Sequence, residues 1–121
     1  MAKVAIVGSR HGIPERYVRK YVQGLRPGTI VISGGAIGVD QVAASEARLC
    51  GFEVVEVVPD YDRDGPKAPL KRNVVIASMC DRMTAFWNGS CRSGAMHAVR
   101  QARGMGKRVS VYDREGRMTG A

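Results

Sequence analysis

The chain has 121 residues, 45% of them hydrophobic, with nineteen Lys and Arg against eleven Asp and Glu, a formal net charge of +8. That length is one domain with a core of its own, and the composition excludes a disordered basic tail or a fibrous chain. No apolar run approaches the ~20 residues of a bilayer span, and Gly8, Ser9, Arg10 and His11 break the first apolar run, so neither a membrane partner nor a signal peptide is expected and the predicted location is cytoplasmic.

Val4 to Val7 is a short continuous apolar run ending at Gly8, the pattern of a strand buried on both faces. Pro14 opens a predicted helix through Leu25, with Tyr17, Val18, Tyr21, Val22 and Leu25 on one side, and Arg26-Pro27-Gly28 stops it. Thr29 to Ser33 is the second strand, and Gly34 to Gly38 is the loop after it. A helix over Val39 to Cys50 follows, then a third strand over Glu53 to Val58. Pro59 to Pro69 reads as the longest irregular stretch. Leu70 to Met79 is helical by pattern, Arg82 to Trp87 is a fourth strand, and Asn88 to Ser93 is a polar loop. Gly94 to Arg103 is a helix with an alanine-rich inner side, suited to packing on a sheet or to a homo-oligomeric contact. Arg108 to Tyr112 is the fifth strand. Residues 1–112 therefore form one domain, and 113–121 read as a loose C-terminal tail.

Alternating strands and helices, with strands apolar on both faces, give an α/β fold: a parallel sheet covered on both sides in a three-layer sandwich. Ligands of such sheets bind at the carboxyl ends of the strands, where strand order reverses. The loops after strands one, two and four are expected to meet there.

The charge is uneven along the chain. Residues 1–60 carry seven basic and six acidic side chains, and residues 61–121 carry twelve and five. Nucleotides or nucleic acid suit that second half, and a merely solubilising basic surface is the other reading. Cys50, Cys80 and Cys91 form no CxxC pair, and His11 and His97 have no ligand-like spacing, so reduced thiols are expected and no metal or cofactor is called for.

In the first loop, Gly8 permits close backbone approach, Ser9 offers a hydroxyl, and Arg10 a fork for phosphate. In the second, Ser33, Gly34, Gly35, Ala36 and Gly38 form a glycine-rich turn opening a helix, a candidate phosphate cradle. It matches neither a Walker loop nor GxGxxG. Asp40 is a first-turn residue favoured by the helix dipole, a ribose hydroxyl acceptor, or a candidate catalytic carboxylate. Lys71, Arg72 and Asn73 sit near the start of a helix, where cations oppose the dipole unless an anion intervenes. Trp87 is a stacking or a core aromatic. Asn88, Ser93 and Gly94 are polar or small positions opening the next helix. Cys91 reads as an incidental thiol, and His97 as a surface or packed histidine.

Val7-Gly8-Ser9-Arg10, Ser33-Gly34-Gly35-Ala36-x-Gly38-Val39-Asp40, Arg72-Asn73 and Ser93-Gly94, followed by Gly106-Lys107-x-Val109, together resemble the SLOG superfamily, including its small YspA-type proteins of phages and bacteria. The resemblance implies a Rossmann-like sheet of order 3-2-1-4-5 with a nucleotide or nucleotide-derived ligand in the crevice. The same motif order is similar to the core of the DNA-processing protein A family, which implies single-stranded nucleic acid as the alternative partner. A third branch of the superfamily, the cytokinin-activating phosphoribohydrolases, implies nucleotide N-glycosidase chemistry. Here Ser33 replaces that branch's proline and Ala43 lacks an acid, leaving Asp40 as the carboxylate near a departing ribose.

Overall fold

The computed structural model describes residues 2–120. Its strands are β1 (Lys3–Gly8), β2 (Ile30–Ser33), β3 (Glu53–Glu56), β4 (Arg82–Phe86) and β5 (Arg108–Tyr112). Its α-helices are α1 (Glu15–Gln23), α2 (Val39–Leu49), α3 (Tyr61–Asp64), α4 (Ala68–Met79) and α5 (Ala95–Gly104). The five strands form one sheet in the order β3-β2-β1-β4-β5, and every neighbouring pair is parallel. This is the Rossmann-like order expected of the SLOG fold.

The period of two along β1 sorts the core into two layers. Val4 and Ile6 pack with Val18 and Val22 of α1 and with Val39, Ala43 and Ala47 of α2. Ala5 and Val7 pack on the other face with Ile76 and Ala77 of α4 and with Ala98, Val99 and Ala102 of α5. Val4, Ala5 and Ile6 are fully buried, so each large apolar side chain here contributes roughly 1.5–3 kcal/mol of burial. From β1 the chain moves outward to β2 and β3, then returns to the other side of β1 for β4 and β5. The loops leaving β1 and β4 consequently diverge to opposite faces and open a crevice between them.

Two expectations need correction. Residues 59–69 are not irregular throughout: they hold α3 and a 3-10 turn over Gly65–Lys67, and α4 already starts at Ala68. The Asp60 carboxylate accepts from the Arg63 amide at 3.1 Å and caps α3, and Pro66 and Pro69 occupy first-turn positions that tolerate a missing N–H. The segment after β5 is not loose over its described residues. Asp113 Oδ1 accepts from the amides of Glu115 and Arg117 at 2.9 and 3.0 Å, turning the chain back. Met118 then bridges antiparallel to Tyr112, and the Thr119 amide donates to the Val111 carbonyl at 2.7 Å, covering part of the β5 edge. The last residue of the expected tail, Ala121, lies outside the described residues.

Cys80 is buried, Cys50 and Cys91 are exposed, and all three are free thiols. Among the described residues no helix is long and apolar enough to cross a membrane, and no cluster of His, Cys, Asp and Glu is placed to hold a metal ion.

Candidate functional site: the cleft at the carboxyl ends of the strands

A cleft of about 490 Å³ opens beside the carboxyl ends of β1 and β4, a volume in the usual range for small-ligand sites. Gly8, Ser9 and Arg10 reach it from the loop after β1, and Ala36 and Asp40 from the turn into α2. Arg72 and Asn73 come from α4, while Asn88, Ser93 and Gly94 come from the loop into α5. Ten of the residues singled out in the sequence thus converge on one surface.

Ser9 ties two of these loops together. Its amide donates to the Phe86 carbonyl at 3.0 Å, extending the β1–β4 ladder by one bond. Its hydroxyl accepts from the Asn88 amide at 3.0 Å and lies 3.1 Å from the Ser93 hydroxyl. The Asn88 carboxamide donates in turn to the His11 carbonyl at 2.9 Å. Ser9 is buried, so its hydroxyl acts mainly within the protein, shaping the cleft floor.

Arg72 and Asp40 form the polar wall opposite. The Arg72 guanidinium donates from Nη1 to the Gly34 carbonyl and from Nε to Asn73 Oδ1 at 3.0 Å. Asp40 Oδ2 accepts from the Ala36 amide at 3.3 Å, whereas Oδ1 is buried without a hydrogen-bond partner among the described residues. Burial pushes the Asp40 carboxyl up to about 6, against the opposing pull of the Ala36 amide and of Arg72 and Arg10. Burial likewise lowers the Arg72 pKa, with Asp40 acting in the other direction. The cation near the start of α4 therefore has protein partners of its own, the Gly34 carbonyl and the Asn73 carboxamide, with Asp40 acting on its charge without a direct ion pair.

Five expected site residues lie elsewhere. Ser33 is fully buried and donates its hydroxyl to the Asp40 carbonyl at 3.0 Å, so it braces the turn. Gly34 is covered by the wall itself: a Cβ there would fall 2.6 Å from Arg72 Nη1 and 2.7 Å from Asp40 Oδ2. Gly35 faces Val58 and Glu56. Gly38 has φ +85° and lies against the Arg10 backbone, where a Cβ would meet the Arg10 carbonyl oxygen at 2.5 Å. Trp87 packs against the core on the α4–α5 face and donates from Nε1 to the Ser90 carbonyl at 2.9 Å. The glycine-rich turn is thus largely closed by the protein's own groups, and of the two readings of Trp87 the structure shows the core aromatic.

Ser90, His11 and Leu70 line the cleft without having been singled out, and Arg92 lines it with them. Arg92 carried a readable signal, a cation in the loop at the carboxyl end of a central strand. Leu70 had none, because an exposed leucine near a helix start reads as ordinary surface.

Residues 1–68 match the sequence profile of the family described as DNA recombination-mediator protein A. The chain belongs to that family. DNA processing protein A from Streptococcus pneumoniae is similar over 93% of this chain and 50% of its own, at 24% identity and a TM-score of 0.74. The structural-genomics target TM1055 is similar over 90% of this chain and 72% of its own, at 22% identity and a TM-score of 0.69. Both likenesses show the shared fold, and this chain spans about half the length of the Streptococcus protein. No sequence among the curated proteins matches it.

Proposed function

We propose that this member of the family is a nucleotide-binding module whose cleft receives the phosphate of a nucleotide or nucleotide-derived ligand. One observation carries the reading. Arg10, Arg72 and Arg92 converge on the cleft, and among the described residues none of them is held in a salt bridge. Asp40 is the sole carboxylate among the lining residues, against three guanidinium groups. The cleft is therefore poised for an anion, and guanidinium forks suit phosphate oxygens. The start of α5 adds its dipole from the far side. In this reading Ser93 and Gly94 close the far wall and Asn88 holds the rim, while the missing Cβ of Gly8 makes room for Val39 beneath the loop.

A single strand of nucleic acid is the second reading, favoured by the family match and by the basic second half of the chain. The cleft would then hold one nucleotide of the strand. N-glycosidic cleavage has less support, since such chemistry usually employs two carboxyl groups and the lining offers Asp40 alone.

Thermal melting against nucleoside monophosphates, cyclic nucleotides, ADP-ribose and short single-stranded oligonucleotides tests this. A ligand at ~100 Kd contributes about 2.7 kcal/mol, a shift on the order of 10 °C for a domain of this size. Arg10→Ala, whose side chain is exposed and packs no core, is expected to weaken binding about tenfold without lowering the melting temperature of the free protein. No shift with any nucleotide sinks the first reading. Binding confined to oligonucleotides, and falling by roughly 0.7 decade per phosphate contact for each decade of salt, selects the second.

A further inference from the structure

A chain of hydrogen bonds leads from Arg72 out of the cleft lining to a residue on α5. Arg72 Nε donates to Asn73 Oδ1 at 3.0 Å. Asn73 Nδ2 lies 3.5 Å from the Gly94 carbonyl and 3.2 Å from His97 Nδ1. Asn73 is buried, so its partners must satisfy one another's polarity. A guanidinium can only donate, hence the carboxamide oxygen faces Arg72 and the two amide hydrogens face Gly94 and His97. His97 Nδ1 must then accept. The imidazole is neutral and its proton sits on Nε2; Gln101 Nε2 lies 3.5 Å from that atom, so the Gln101 carboxamide must turn its oxygen to the ring for the two to hydrogen-bond. Burial and the neighbouring Arg100 both lower the His97 pKa, which agrees with a neutral ring.

We infer that His97 is a positioning residue for Arg72, acting through Asn73. The inference rests on the reading of the cleft as a phosphate site. Arg72 spends one Nε–H on Asn73 and one Nη1–H on the Gly34 carbonyl, leaving the other three of its five N–H groups for a bound anion. A free arginine loses much rotamer freedom on binding, and a guanidinium already fixed at two points loses less. The Asn73 carboxamide can hold Nε–H only while its own orientation is set. The Gly94 carbonyl, at 3.5 Å, is the weaker of its two acceptors, so His97 supplies most of that orientation. Three separate segments are thereby coupled: the turn after β2, α4, and the first turn of α5.

Two variants separate positioning from packing. His97→Leu keeps the bulk and removes the acceptor, whereas His97→Asn places a carboxamide oxygen near the position of Nδ1. In the unliganded full chain, the Arg72 Nε–H signal in 1H–15N spectra is expected to exchange slowly in the wild type and in His97→Asn, and to be lost in His97→Leu. Affinity for inorganic phosphate and for dAMP is expected to fall roughly five- to tenfold in His97→Leu and to stay within about twofold in His97→Asn. An Arg72 signal unaffected by His97→Leu, or equal losses in both variants, overturns the inference. The wild type supplies a check that needs no variant: 15N shifts of the imidazole should report Nδ1 as the unprotonated nitrogen, and protonated Nδ1 would refute the relay. If the wild type binds neither probe, the nucleotide reading fails, while the spectra still decide the role of His97.

Discussion

The loop leaving β1 and the turn leaving β2 have similar compositions, small and glycine-rich at the mouth of a helix, and the fold uses them differently. Gly8, Ser9 and Arg10 border the cleft, with the Arg10 guanidinium exposed beside it. In the turn after β2, a bare Cα at Gly34 admits Arg72 and Asp40, and one at Gly38 admits the Arg10 backbone. In the first loop the bare Cα of Gly8 admits the Val39 side chain, whose Cβ would lie 2.5 Å from an added Cβ, while Ser9 and Arg10 border the open cleft. The second leaves room for the protein's own polar groups, and through Arg10 it supports the first. Glycine richness reports that something approaches closely, and it does not say what.

Gly38→Ala tests that support most severely. A side chain at φ +85°, with its Cβ within 2.5 Å of the Arg10 carbonyl oxygen, is strained both locally and by contact. Urea unfolding is expected to show a loss of roughly 3–5 kcal/mol. A variant as stable as the wild type would mean that the second loop does not hold the first in place.

The buried carboxyl in the second loop sharpens the comparison through pH. Asp40 has its folded pKa raised from 3.8 to about 6, so the unfolded chain releases this proton first as pH rises. The contribution of this group to stability therefore falls between about pH 4 and pH 6 and stays low above that. A rise of this size corresponds to ~3 kcal/mol. Asp40→Asn is neutral throughout and should lack that slope, gaining on the wild type as pH rises. A wild-type minus variant difference that is flat from pH 4 to 8 would show that Asp40 is not desolvated as described.

The smallest effect concerns the aromatic beside the cleft. Trp87→Phe removes the bond to the Ser90 carbonyl and is expected to cost about 1 kcal/mol in denaturant titrations. Nucleotide affinity should change by less than about twofold. A tenfold loss would restore Trp87 to the ligand surface.

The fold was legible where local pattern and tertiary role coincide. Val4 to Val7 reads as a doubly buried strand because both of its faces are apolar, and both are covered. Arg108–Tyr112 has the boundaries expected of it. The short helix at Tyr61–Asp64 was missed because Asp60, Pro66 and Pro69 are loop punctuation and helix-start signals alike. In the site, Arg72 stood out as a cation on the wrong end of a helix, and Asp40 stood out separately. Their meeting across Gly34 was not readable. His97 looked ordinary because Asn73, its partner, lies 24 residues away.

The alternation of the five strands with the four longer helices, the loops that gather at one end of the sheet, and the excess of basic side chains in the second half were determined by the sequence alone. These follow from periodicity, composition and the geometry of parallel sheets, which act over short stretches of chain. Tertiary structure decided which glycines face the cleft, why Asp40 holds its proton to about pH 6, and which atoms orient Arg72. Desolvation and hydrogen-bond pairing depend on what distant segments bring to the same place, and no window along the chain contains that information.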